Sequence, residues 1–218
     1  MAVTNGRKVW QASGFEAVYV SCEYMMRYLT GMAAENGCVI VEESGTTFYT
    51  DKRYIEAAEK RFQGTDVTPV LYKRDEVLEK LASYQSVGIS YRETAVVEYQ
   101  ALEKAGVKLF NADEALTEAM KMKNEWEFSN IQKACEIAED AFNELLPEIE
   151  EGMTETEVAA LLEYKMRKLG AQGLAFETIV AFGAHAAVPH HETGDTKLCF
   201  GDEVLIDFGC RVNGYSWT

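Results

Sequence analysis

The feature that most constrains this chain is one stripe of apolar residues at Phe128, Ile131, Cys135, Ala138, Phe142, Leu145 and Ile149. Steps that alternate between three and four keep these side chains on one face of an α-helix about six turns long. A helix with one long apolar face needs a second layer to cover it. Pro147 and Glu151-Gly152 end the pattern. Thr154-Glu155-Thr156-Glu157 then has the form of a capping box opening another helix, with Val158, Leu161, Leu162, Met166 and Leu169 toward its core and Gly170 at its end. After that the period drops to two, and 176–181 and 203–208 read as strands.

The residues before the long helix follow a different rhythm. Segments 16–22, 37–41 and 46–50 are rich in β-branched and aromatic residues, and Glu43-Ser44-Gly45 is a turn between the last two. Asp51 is placed to cap a helix through Phe62, whose stripe is Tyr54, Ile55, Ala58 and Phe62. Strands near 67–72, 87–90 and 106–110 alternate with helices near 75–83 and 93–105. This predicts an α/β domain with a mixed sheet over residues 1–115, followed by a second, α+β domain over 116–218. The boundary region, 111–123, is a polar stretch.

Composition narrows the function. A chain of 218 residues that is 47% hydrophobic and 26% charged has the make-up of an ordinary globular protein with a real core. Its formal charge of -15, with no basic stripe, argues against nucleic acid as a partner. Neither a signal-peptide pattern nor an apolar run of membrane-spanning length is present, so no membrane partner is expected. The five cysteines are odd in number, scattered and without a CxxC pair, which predicts buried free thiols and a reducing, cytoplasmic setting.

Two segments could carry chemistry. On an extended strand at 203–208, Val204, Ile206 and Phe208 point one way and Glu203, Leu205 and Asp207 the other. A carboxylate in a sheet needs a cation or several donors, so Asp207 reads either as a metal ligand or as a cap on a turn at the strand's end. Asn213-Gly214 favours a two-residue hairpin turn, which would make residue 218 the diagonal same-face neighbour of Asp207. The second segment, 181–198, holds all three histidines, His185, His190 and His191. Pro189 keeps His190 and His191 out of a ladder interior, so they belong to a loop. There they serve either as proton donors beside a cleft or as solvated surface groups. Their spacing is not that of a helical HExxH zinc site.

Taken together, FETIVAFGAHAAVPHHETGDTKL followed by GDEVLIDFGCRVNGY is similar to the signature region of the pita-bread, M24-type metallopeptidases. MMRYLTG and FYTDKRYIEAA in the first half resemble the non-catalytic domain of creatinases and prolidases. The resemblance to the creatinase, prolidase and aminopeptidase P family runs from Gly14 onward. It implies a creatinase-like first domain, an incomplete pita-bread second domain, and metal-dependent hydrolysis of Xaa-Pro peptide bonds, by a dipeptidase or an aminopeptidase. In that family two divalent ions (manganese, cobalt or zinc) sit on two aspartates, one histidine and two glutamates, and the intact protein would be a homodimer acting on proline-containing peptides. Carried over, Asp207 matches the first metal ligand and His190 the histidine that assists catalysis. The second aspartate falls on Thr218, a weak neutral ligand. The other ligands belong to later strands. The chain is therefore expected to be an inactive fragment, truncated on its C-terminal side, that binds no metal pair. A metal-free creatinase-type hydrolase and a non-catalytic pita-bread binding protein are the alternatives.

Overall fold

A computed structural model describes residues 5–217. The chain divides into two compact units, Met1–Lys123 and Asn124–Thr218.

The first unit is built on six strands: β1 (Ala17–Val20), β2 (Gly37–Glu42), β3 (Gly45–Thr50), β4 (Val67–Leu71), β5 (Val87–Ile89) and β6 (Leu109–Asn111), in the order β4-β3-β2-β1-β5-β6. Pairs β1–β2 and β2–β3 are antiparallel, while β3–β4, β1–β5 and β5–β6 are parallel, so the sheet is mixed. Pro69, which cannot donate to a ladder, lies in β4 at one edge. The two-residue side-chain period splits the core in two. Val18, Val20, Val39, Val41 and Phe48 join one cluster, and Ala17, Tyr19, Cys38 and Ile40 join another. Helices α1 (Gly6–Ser13), α2 (Glu23–Thr30), α3 (Ile55–Phe62) and α6 (Asp113–Lys121) supply Val9, Leu29, Phe62 and Leu116 to the first cluster. Helices α4 (Arg74–Ala82) and α5 (Val96–Lys104) supply Leu81 and Leu102 to the second. Each such fully buried leucine contributes roughly 2–3 kcal/mol of transfer free energy. Burial on both faces explains why β1 reads as a run of apolar residues rather than as an alternation.

Three local expectations change here. Asp51 caps no helix: its carboxylate accepts from the Arg53 amide at 2.8 Å and holds a turn, and α3 begins only at Ile55. The polar stretch 111–123 contains α6, which buries Leu116 and Ala119 in the first core. The division therefore falls after Lys123 rather than after residue 115. The exposed end of α6 at Lys121 and the Met122-Lys123 segment after it are the expected first site of tryptic cleavage. Mass spectrometry of a brief digest should find pieces ending there. Equal early cleavage throughout both units would contradict their compactness.

The second unit opens with α7 (Glu125–Leu145), capped by Asn124, whose side chain accepts from the Glu127 amide while Glu127 accepts from the Asn124 amide. A short 3-10 turn over Leu146–Glu148, at Pro147, ends it. The buried face of α7 is Glu127, Asn130, Ala134, Ile137, Ala138, Ala141 and Leu145, offset from the expected stripe. Phe128 is 62% exposed, and Ile131, Cys135 and Phe142 are only half-buried. The offset has a chemical reason. Glu127 accepts from the Tyr215 hydroxyl at 3.0 Å, and Asn130 accepts from the Asn213 side-chain amide at 2.8 Å. These satisfied polar groups occupy the covered face without an apolar signal. Alanines on the same face allow close approach, and the Cys210 thiol reaches the Ala134 carbonyl at 3.2 Å.

Helix α8 (Glu155–Lys168) starts at the expected Thr154 capping box and packs Val158, Leu162 and Met166 against α7 residues. Strands β7 (Gly173–Leu174), β10 (Cys210–Val212) and β11 (Tyr215–Trp217) form one small sheet, and β8 (Ile179–Phe182) with β9 (Val204–Asp207) another. Strand β7 is too short to carry a readable period, and β8 starts later than the expected 176. Asn213 and Gly214, at φ 51° and 87°, make the hairpin turn between β10 and β11 that their sequence favours. Thr218, assigned above to the second-aspartate position, lies outside the described residues. Of the five cysteines Cys38 and Cys210 are buried, Cys22 and Cys135 half-buried, and Cys199 exposed, contrary to the expectation that all are buried. Among the described residues no helix is long and apolar enough to cross a membrane.

Candidate active-site pocket

Strands β8 and β9 run antiparallel with Ile179 opposite Asp207 and Phe182 opposite Val204. After β8 the chain turns through a 3-10 segment, Gly183–Ala187, into the loop that carries the histidines. The loop folds back over the two strands. With them it borders an open pocket of about 510 Å³ lined by Ile179, Val188, Pro189, His190, Leu205 and Asp207, among others. His190 and Asp207 are both exposed and stand on this pocket. His190 adopts a left-handed backbone, φ 56°, which a non-glycine residue holds only where its surroundings fix it. Val204 lines a neighbouring apolar cavity with Phe142, Leu146 and Ile149, and Ile206 lines both that cavity and this pocket.

The other two histidines face a residue that the sequence did not single out. Glu155, in the first turn of α8, is completely buried. Its Oε1 accepts from the Phe182 amide at 3.0 Å and lies 2.9 Å from Nδ1 of His185. Its Oε2 accepts from the Gly194 amide at 2.9 Å and lies 2.9 Å from Nε2 of His191. Burial alone would push this carboxyl up. The bonds from His191, His185 and the two amides outweigh it and hold the group down at about 2. A carboxylate ionised in that way only accepts, so both facing ring nitrogens carry protons. The imidazoles lie beside each other with centroids 4.3 Å apart. In the sequence Glu155 is hidden as one acidic residue among several near a helix start, where acids are common; only the fold brings it under the loop.

A divalent cation could in principle draw on Glu155, His185 and His191, whose ligand atoms all lie within 4.8 Å of one another. The four lone-pair directions of Glu155 are already filled by four protein donors, which suits a structural clasp. At the pocket itself, Asp207 is the one carboxylate among the lining residues. The described residues do not by themselves fit a two-metal centre, which needs several oxygen and nitrogen donors per ion.

Comparison with known proteins agrees with this architecture. The creatinase/prolidase N-terminal domain model matches residues 3–122, and the metallopeptidase family M24 model matches residues 129–217. The chain belongs to the creatinase and prolidase family of M24 metallopeptidases. An Xaa-Pro dipeptidase of Pyrococcus furiosus is 32% identical over 212 residues, a match covering 96% of this chain and 60% of that protein. Among solved structures, an X-Pro aminopeptidase from Thermotoga maritima superimposes with a TM-score of 0.87 at 29% identity, over 96% of this chain and 62% of the other. An Xaa-Pro dipeptidase from Bacillus anthracis does so with a TM-score of 0.86 at 28% identity, over 98% and 61%. The chain thus spans about 60% of the length of the relatives it matches.

Proposed function

We propose that these residues form the N-terminal domain and one wall of the catalytic pocket of a peptidase acting on Xaa-Pro bonds. The observation that carries this reading is the meeting of His190 and Asp207 on one pocket, from a loop and the end of the strand that follows it. Asp207 is the group that would face a divalent ion. His190, whose ring nitrogens can carry a proton, would donate to the substrate oxygen on which charge develops. Ile179, Val188 and Leu205 give the pocket apolar walls suited to a proline ring. A metal pair, when bound in such peptidases, supplies Lewis-acid polarisation of the scissile carbonyl.

One carboxylate cannot hold two hard cations at useful affinity. The chain of 218 residues is therefore expected to bind manganese no tighter than about millimolar, and to leave Xaa-Pro dipeptides uncleaved. Calorimetry with manganese and a proline-release assay test both. Micromolar binding lost in Asp207→Asn, or turnover lost with it, would overturn both expectations.

A further inference from the structure

We propose that Glu155 is the positioning residue of this pocket: its buried carboxylate clasps the histidine loop on both sides of His190 and fixes where that imidazole stands. The inference rests on the Xaa-Pro reading for the purpose of the site, and on geometry alone for the clasp. The loop between β8 and β9 leaves the sheet at Phe182, whose amide donates to Glu155 Oε1, and His185 bonds the same oxygen three residues on. His191, the residue after His190, bonds Oε2, and the Gly194 amide bonds it again. One immobile group thus holds the loop both before and after His190.

Other bonds fasten the far end of the loop. The Thr156 amide and hydroxyl both donate to the Gly194 carbonyl, the Glu155 amide donates to the Thr196 carbonyl, and Thr193 takes the Val180 amide. None of these reaches the stretch from His185 to His191. Within that stretch the left-handed backbone of His190 is held against its own preference, and the His185 and His191 side-chain bonds to Glu155 bracket it. His190 itself makes no hydrogen bond to a described residue, which leaves its ring free for a substrate. Side chains set in this way by a buried partner give the sub-ångström placement that proton transfer requires.

The test uses the 218-residue chain, uniformly isotope-labelled for NMR, with manganese ion at millimolar concentration as a paramagnetic probe and Asp207→Asn as the blank. In the wild type the probe should broaden the His190 ring signals along with those of Ile206. In Glu155→Gln the ratio of His190 to Ile206 broadening should fall severalfold. Amide exchange at Phe182 and Gly194 should accelerate about tenfold or more, with Ala138 unchanged. Should Glu155→Gln unfold the unit, His191→Phe and His191→Gln form a second pair. The phenylalanine removes one donor and should lower the ratio, whereas the glutamine amide can still donate to Oε2 and should restore it. An unaltered ratio in both Glu155→Gln and His191→Phe overturns the clasp. So does a micromolar cobalt or zinc complex lost in Glu155→Gln, which would make the cluster a metal site. Neither result bears on Xaa-Pro cleavage, and failure to find that activity would leave the clasp intact.

Discussion

Replacing Glu155 by alanine is expected to destabilise the second unit by about 3–5 kcal/mol, since two backbone amides and two imidazoles lose their acceptor and a buried unpaired donor costs about 1–3 kcal/mol. The half-exposed His185 ring can turn to water, so most of the loss falls on the amides and His191. The same residue predicts an acid limb. Its folded carboxyl sits at about 2, below the ordinary glutamate value. A depressed folded pKa contributes stability that is fully present above the unfolded value, near pH 4.5, and that is lost as pH falls toward 2. The group accounts for about 3 kcal/mol over that window. Urea unfolding of the wild type and Glu155→Gln at a series of pH values between 7 and 2.5 measures it. The variant should start less stable and show a flatter decline. An identical acid limb in both would assign acid sensitivity to other carboxylates.

Leu162→Ala and Leu29→Ala should each cost about 2–5 kcal/mol, because both side chains are fully buried and alanine leaves a cavity. The cost should appear in different places. Leu162 belongs to the core of α7 and α8, whereas Leu29 belongs to the core under β1, β2 and β3. If the two units fold independently, thermal unfolding followed by residue-resolved NMR will show each variant lowering one transition and leaving the other. Both transitions moving together in either variant would mean one cooperative block.

The first unit was largely legible in the sequence because its strands and helices each declare a period. Segments 37–41, 46–50 and 87–90 all became strands within a residue or so of their expected limits. What was missed there lacks that signal: α1 and α2 are short helices in the N-terminal stretch and around the MMRYLTG segment, and α6 sits in a stretch too polar to stand out. In the second unit the error is more instructive. The visible stripe on α7 is real, but the helix covers the neighbouring face, because Glu127 and Asn130 are buried through hydrogen bonds that hydrophobicity cannot report. The site divides in the same way. Local pattern left Asp207 and His190 open between a site and a bland surface role, family resemblance singled them out, and the fold brings them to one pocket. Glu155 could not be singled out, since its role depends on tertiary contacts with residues that follow it by some thirty positions or more.

The two units treat their sheet borders differently. One border of the first sheet is β4, where Pro69 withholds a donor, and the other is the three-residue β6. A passing strand finds little to grip at either. Strand β9, paired on one side with β8 among the described residues, presents Val204 and Leu205 partly bare, at 40% and 39% exposure. It carries neither a proline nor a lysine to repel a neighbour. At high concentration, or on a ribosome crowded with sister chains, the second unit rather than the first is where uninvited strand addition would begin, and a lysine at Leu205 is the single change best placed to discourage it.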